Sequence, residues 1–238
     1  MDIFYESSAD VGLSFVTLNE EESYHCINVL RHKKNDKIVI TNGKGYIFDA
    51  QIIDENKKRC TVEINSYLKK EKESYLHIAL APTKNQDRVE WFVEKATEIG
   101  INEYTPIICE RSERKNINIQ RLERIVISAM KQSQKAWKPI VNEAISFKDF
   151  ISKIECNNKY IAHCSENDEL KSNKVQLSEV NFKKEKTIVL IGPEGDFSDI
   201  EIQNALLKGY KGISLGNSRL RTETAGIIVC CTAYLRSI

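Results

Sequence analysis

The chain lacks several features that would settle its class quickly. No apolar run among its 238 residues approaches the roughly 18 that suggest a membrane span, so no membrane association is expected. Met1-Asp2-Ile3-Phe4-Tyr5-Glu6 has neither the basic start nor the apolar core of a signal peptide, and a cytoplasmic location is the expectation. Its seven cysteines, at positions 26, 60, 109, 156, 164, 230 and 231, form no Cys-x-x-Cys pair, and none stands at zinc-finger spacing from a histidine. They read mostly as reduced core thiols, and no metal ion is expected. An excess of one charge is also missing. A net charge of +1 argues against a protein that coats bare nucleic acid. The common phosphate loops are absent: there is no Gly-x-Gly-x-x-Gly and no glycine-rich loop ending in Gly-Lys-Ser/Thr. No internal repeat or low-complexity segment is visible.

What is present fits a globular protein of one large or two small domains, 41% hydrophobic and 29% charged. Asn19 followed by Glu22 resembles a capping box opening a helix through Leu30. Lys37 to Thr41, Tyr46 to Asp54 and Arg59 to Ser66 are short runs rich in Ile, Val, Tyr or Thr. Asn42-Gly43-Lys44-Gly45 and Asp54-Glu55-Asn56-Lys57 between them are turn sequences. Residues 1–70 therefore predict a small β-rich barrel, and Lys69 to Glu73 a charged hinge. Beyond it the pattern alternates. Strands are predicted at Leu76 to Ala81, Tyr104 to Cys109, Tyr160 to Cys164, Thr187 to Ile191 and Gly212 to Leu215. Val89, Phe92, Val93, Ala96 and Ile99 mark a helix closed by Gly100. Leu122, Ile125, Val126, Ala129 and Met130 mark a second. Ser198 to Lys208 and Thr222 to Arg236 complete the set. Alternating strands and helices over residues 74–238 imply an α/β domain with a parallel sheet covered on both faces.

In such sheets, ligands bind beyond the carboxyl ends of the strands. Two of those ends carry unusual loops: Gly192 to Asp196, and Leu215 to Gly226. Glycine admits a ligand close to the main chain, and proline stiffens the loop. Together they suggest a preformed wall of backbone groups, suited to a flat ligand such as adenine. An ordinary strand-to-helix turn is the competing reading. Thr222 is equally readable as a helix N-cap, and Glu223 as a carboxylate favoured by the helix dipole. His25 and His163 read as structural.

"IGPEGDFSDIEI" followed by "SLGNSRLRTETAG" resembles the paired signature of the SPOUT methyltransferases. More closely, it resembles the bacterial family that methylates N3 of a uridine in small-subunit (16S) ribosomal RNA. "HCINVLR" (His25 to Arg31) and "NDKIVITNGKGYIFDAQI" (Asn35 to Ile52) resemble that family's PUA-like N-terminal domain. Lys84 to Lys115 and Ala129 to Val141 resemble its central segments. The chain departs from the family at Gly195-Asp196-Phe197, where Gly-Gly-Phe is common. It also carries Asn217-Ser218-Arg219 for the usual Pro-Arg-Ile, and Lys131 and Lys135 where Glu and Arg are frequent.

The resemblance implies a knotted α/β domain, with S-adenosylmethionine bent among the loops. The cofactor positions would be Leu190, Gly192, Pro193, Glu194, Gly195, Leu215, Gly216, Leu220, Arg221, Thr222, Thr224 and Ala225. Losing the N3 proton leaves negative charge on the uracil oxygens. Arg221 is expected to stabilise that charge, with Glu194 and Glu223 as proton acceptors or cofactor orienters. Arg31, Lys33, Lys34, Arg111 and Arg114 are expected RNA contacts, and a homodimer acting on the assembled small ribosomal subunit is the expected state. A non-catalytic ribosomal-RNA-binding protein, a methyltransferase for another RNA position, and a small-molecule nucleotide enzyme are the competing functions.

Overall fold

A computed structural model describes residues 3–72, 74–165, 174–183 and 185–237. The chain divides into two compact units. One runs up to Lys72 and takes in Ile127–Lys138; the other holds the remainder.

The first unit is built on a five-stranded sheet in the order β1-β3-β4-β5-β2. Its strands are β1 (Ile3–Tyr5), β2 (Phe15–Thr17), β3 (Lys37–Thr41), β4 (Tyr46–Asp54) and β5 (Thr61–Lys69). β1 runs parallel to β3, and the other pairings are antiparallel. Register shifts after Asp49 and Ile52 bend β4. The curled sheet encloses Phe4, Leu18, Ile38, Ile40, Phe48, Ile52 and Val62. The edge strands β1 and β2 meet through a side chain rather than a ladder: the buried Glu6 carboxylate accepts the Asn19 and Ser8 N–H groups.

Asn19 caps helix α1 (Glu20–Tyr24) as its sequence predicts, its Oδ1 accepting from Glu22 N at 3.0 Å. The helix then widens into a π-turn over His25–Val29, which helical periodicity does not signal. Residues 127–138 belong to this unit for a visible reason. The Trp137 ring lies so close over Gly45 that a Cβ there has no room. Its indole donates to the Lys70 carbonyl, and Lys131 pairs with the buried Glu22 at 2.6 Å.

The second unit is an all-parallel sheet of β6 (Tyr75–Leu80), β7 (Glu103–Ile108), β8 (Ile140–Val141), β9 (Ile145–Ser146), β10 (Asn158–Ala162), β11 (Val175–Gln176), β12 (Lys186–Ile191) and β13 (Lys211–Ser214). The order is β11-β13-β10-β12-β6-β7-β8, with β9 also beside β7. Alternation along β6 and β12 sends Ile78, Leu80, Val189 and Ile191 to one face and Ala79, Ala81, Ile188 and Leu190 to the other. The first face is covered by α2 (Gln86–Ile99), the Leu122–Val126 part of α3 (Ile119–Gln132) and α6 (Thr222–Ser237). The second is covered by α4 (Phe147–Lys153) and α5 (Asp199–Leu207).

β13 lies outboard of β10, yet α6 returns to pack on α2 and β6 near the sheet centre. That return path is what a knotted chain requires. Strands β1, β2, β8, β9 and β11 escape the sequence patterns because each has only two or three residues, too few for a period.

Candidate functional site

The exits of β12, β10 and β13 and the start of α6 surround a cleft of roughly 790 Å³, within the usual size of a small-molecule site. Its β12 wall is a tight turn in which the Asp196 N–H bonds the Pro193 carbonyl at 2.9 Å. Gly192 sits close under Phe197: a Cβ there would stand 3.1 Å from Phe197 N and 3.2 Å from its ring, so the Phe197 segment would have to shift by a few tenths of an ångström. The Phe197 ring in turn packs on Phe147. Thr222 at the head of α6 donates to the Gly192 carbonyl at 3.0 Å, tying the two glycine-bearing loops together. Ser198 and Glu201 form a full capping box for α5, and the other Glu201 oxygen accepts Glu110 N.

The second wall is Ser214 to Leu220. Gly216 sits at φ 114°, and among the described residues nothing lies within 4 Å of where its Cβ would be. The backbone demands glycine there, and the space beside it is open.

Of the expected cofactor positions, Gly192, Pro193, Glu194, Leu215, Gly216, Leu220, Thr222 and Ala225 line the cleft. Gly195, Arg221 and Thr224 flank it in sequence but do not line it. Leu190 points into the core beneath α5, and its neighbour Ile191 lines the cleft instead. Alternation along β12 decides that.

The three expected catalytic residues have distinct surroundings. Glu194 is exposed and accepts the Lys84 N–H at 3.0 Å. Glu223 is buried, 7% exposed, and one of its oxygens lies 3.7 Å from Arg88 Nε on α2. Arg221 is exposed, and its guanidinium has no ion pair or side-chain hydrogen bond among the described residues. The expected RNA contacts fall into two groups. Arg31, Lys33 and Lys34 are exposed in the first unit, with Arg31 in the left-handed region at φ 63°. Arg111 and Arg114 are engaged within the second unit. Arg111 donates to the Gly195 and Phe197 carbonyls, and Arg114 to the Lys84 carbonyl.

Reading motifs alone leaves out the β10 exit. His163, Cys164, Ser165 and Lys174 line the cleft, as do Asp196 and Asp199. Burial pushes the His163 imidazole down to about 4, with Lys174 nearby adding to the effect. Neither ring nitrogen finds a hydrogen-bond partner among the described residues. A strand end carrying His-Cys-Ser is the available sequence signal, but no spacing marks it as a site. The cleft thus carries both signs of charge: Arg111, Lys174 and Arg219 against Glu194, Asp196 and Asp199.

Comparisons with known proteins agree with this picture. Residues 70–234 match the family model described as an RNA methyltransferase domain, and residues 18–65 match one described as an RNA methyltransferase PUA domain. The chain is 34% identical over 217 residues to the ribosomal RNA small subunit methyltransferase E of Rickettsia conorii, covering 90% of this chain and 87% of that one. A crystal structure of a probable rRNA-methyltransferase from Porphyromonas gingivalis superposes with a TM-score of 0.89 at 38% identity, covering 100% of this chain and 98% of that one. The Neisseria gonorrhoeae ribosomal RNA small subunit methyltransferase E, solved bound to S-adenosyl methionine, gives 0.83 at 28% identity, covering 97% and 95%. With a PUA-like unit preceding a parallel-sheet unit whose glycine-bearing loops meet at one cleft, the chain belongs to the family of knotted RNA methyltransferases.

Proposed function

We propose that this chain methylates N3 of a uridine in small-subunit ribosomal RNA, with S-adenosylmethionine as methyl donor. The observation that carries the reading is the cleft itself. Glycine-rich main chain from two loops suits an adenine, and side chains of both signs suit a ligand bearing an amino group, a carboxylate and a sulfonium. Open space beside Gly216 leaves room for close approach to the backbone. When bound, the sulfonium supplies an electrophilic methyl group for in-line displacement.

The chain's own residues do the rest. The loops hold the donor and fix its orientation, and positioning supplies much of the acceleration. Arg221 stands free beside the cleft with a planar fork of donors. It stabilises the uracil oxygens as N3 loses its proton. Glu194, exposed at the lip with one oxygen on the Lys84 N–H, accepts that proton. Glu223, buried against Arg88, holds the start of α6 and so the backbone of Arg221 and Thr222.

The base has to be unpaired or splayed, because N3 lies on its pairing edge. Arg31, Lys33 and Lys34 supply exposed positive charge for RNA docking. The substrate is the assembled small subunit, and the working form is a homodimer in the cytoplasm. The test is direct: methylated uridines are mapped in ribosomal RNA from cells with and without the protein. Loss of one N3-methyluridine is expected. An unchanged map would sink the reading.

A further inference from the structure

The loop after β12 is gripped from two flanks. On the β7 side, Arg111 Nη1 donates to the carbonyl of Gly195 at 2.9 Å and to that of Phe197 at 3.4 Å. Its aliphatic stem lies along Gly195, where an added Cβ would meet Arg111 Cβ at 3.4 Å and Cδ at 3.6 Å. On the β10 side, Asp196 Oδ2 accepts the Cys164 N–H at 2.6 Å, while Oδ1 accepts the Phe197 N–H at 2.8 Å. Asp196 does this with φ at 62°, a left-handed conformation natural to glycine and open to aspartate when, as here, its side chain hydrogen-bonds the local main chain. Its carboxylate links the β12 loop to the neighbouring β10 exit, a contact that glycine at this position cannot make.

We propose that Asp196 and Arg111 are positioning residues for the methyl donor, bracing the Gly192–Ser198 loop so that its main chain is already ordered when the donor arrives. The inference rests on the methyltransferase reading above. A glycine-rich loop loses more freedom on ordering than any other. Braces that order it in advance lower the cost of binding. Both residues line the cleft, so a direct charge on the ligand is the rival account for Asp196. An RNA contact is the rival account for Arg111.

The experiment measures three things on each full-length variant: S-adenosylhomocysteine affinity by calorimetry, hydrogen exchange of residues 192–198 without ligand, and the melting temperature. Asp196→Gly keeps the left-handed φ accessible and removes the brace. Its melting temperature should hold or rise, its loop amides should exchange faster, and its affinity should fall by about ten-fold, the scale of one preorganising hydrogen bond. Asp196→Asn keeps one acceptor, enough for the Cys164 N–H, but gives up the acceptor for the Phe197 N–H and the charge, so its affinity and loop exchange should fall between those of Asp196→Gly and wild type. Arg111→Ala should lose affinity as Asp196→Gly does while binding RNA normally.

Wild-type affinity and wild-type loop exchange in Asp196→Gly and Arg111→Ala would overturn the proposal. So would an Asp196→Asn that loses as much affinity as Asp196→Gly while its loop amides exchange at the wild-type rate, since charge on the ligand would then be the cause. If the wild-type protein binds neither donor nor product, the methyltransferase reading fails instead. Loop exchange in the ligand-free protein still tests the brace.

Discussion

Gly226 leaves the space that Phe92 fills. A Cβ on Gly226 would stand 2.5 Å from Phe92 Cε2, 2.8 Å from Cδ2 and 3.0 Å from Leu80 Cδ1. This contact lets α6 close onto α2 and β6, and it sets where Thr222 meets Gly192. Gly226→Ala should cost about 1–3 kcal/mol of stability through overpacking, in spite of alanine's better helix propensity. That corresponds to a melting temperature lower by roughly 2–12 °C for a chain of this size. Adding Phe92→Leu should recover part of the loss. Thermal unfolding of the single and double variants measures it, and a Gly226→Ala melting at the wild-type temperature would contradict the packing argument.

Gly216 makes a different demand. Its φ of 114° is one that a β-branched residue strongly resists. Gly216→Val should weaken donor binding by ten-fold or more, as the 215–220 wall shifts. The fold should survive, because no described residue packs on this position. Calorimetric titration together with circular dichroism separates the two effects.

Arg221 carries the charge argument. Arg221→Ala should lower single-turnover methylation by roughly 10²–10³, as for other fixed donors to a developing anion. Arg221→Lys should fall between, because it keeps the charge and loses the fork. Donor affinity should change little. A normal rate in Arg221→Ala would remove this residue from the mechanism.

Acid should destabilise the protein in a defined window. Burial holds both His77 and His163 down to about 4, from an ordinary value of 6.5. Between those values the unfolded chain takes up protons that the folded chain does not. Stability should therefore be level above about pH 7, fall as pH drops from 6.5 towards 4, and lose no more from these two groups below that. His77 lies between Thr105 Oγ1 at 2.8 Å and Glu103 Oε2 at 3.3 Å. His77→Gln should make the decline shallower. Urea unfolding at several pH values measures the slope, and an unchanged slope in that variant would rule His77 out as a cause.

The last helix exposes Cys231 and Leu235, while Val229 and Cys230 are buried within the unit. A homodimer through α6 should therefore be sensitive to Leu235→Lys. Light scattering at micromolar concentration should give a dimeric mass for the wild type and a reduced mass for the variant. A monomeric wild type would refute the assembly.

The long elements were legible from local pattern. β3 and β4 lie where their Ile- and Val-rich runs predict. α2 ends at a Gly100 with φ 124°, and α5 begins beside Ser198, where its helical run is predicted to start. These are decisions of propensity, periodicity and turn chemistry, which act over a few residues. The paired glycine loops were legible for the same reason, since glycine and proline state their backbone needs locally.

Neighbours distant in sequence decided the rest. Leu190 and Ile191 are both apolar, and only pairing within the sheet determined which faces the cleft. Glu223 reads in sequence as a base or a dipole partner, and folding sets one of its oxygens 3.7 Å from Arg88 Nε on α2 while the other is buried without a hydrogen-bond partner among the described residues. Arg111 is a surface arginine in sequence. It became a clasp on Gly195 because β7 and β12 end at the same edge of a parallel sheet. Ile127–Lys138 belongs with the barrel because Trp137 meets Gly45, a contact no local pattern encodes. Pattern specifies the elements, because their energetics are local. The site is a product of which strand exits become neighbours, and that depends on packing across the whole sheet.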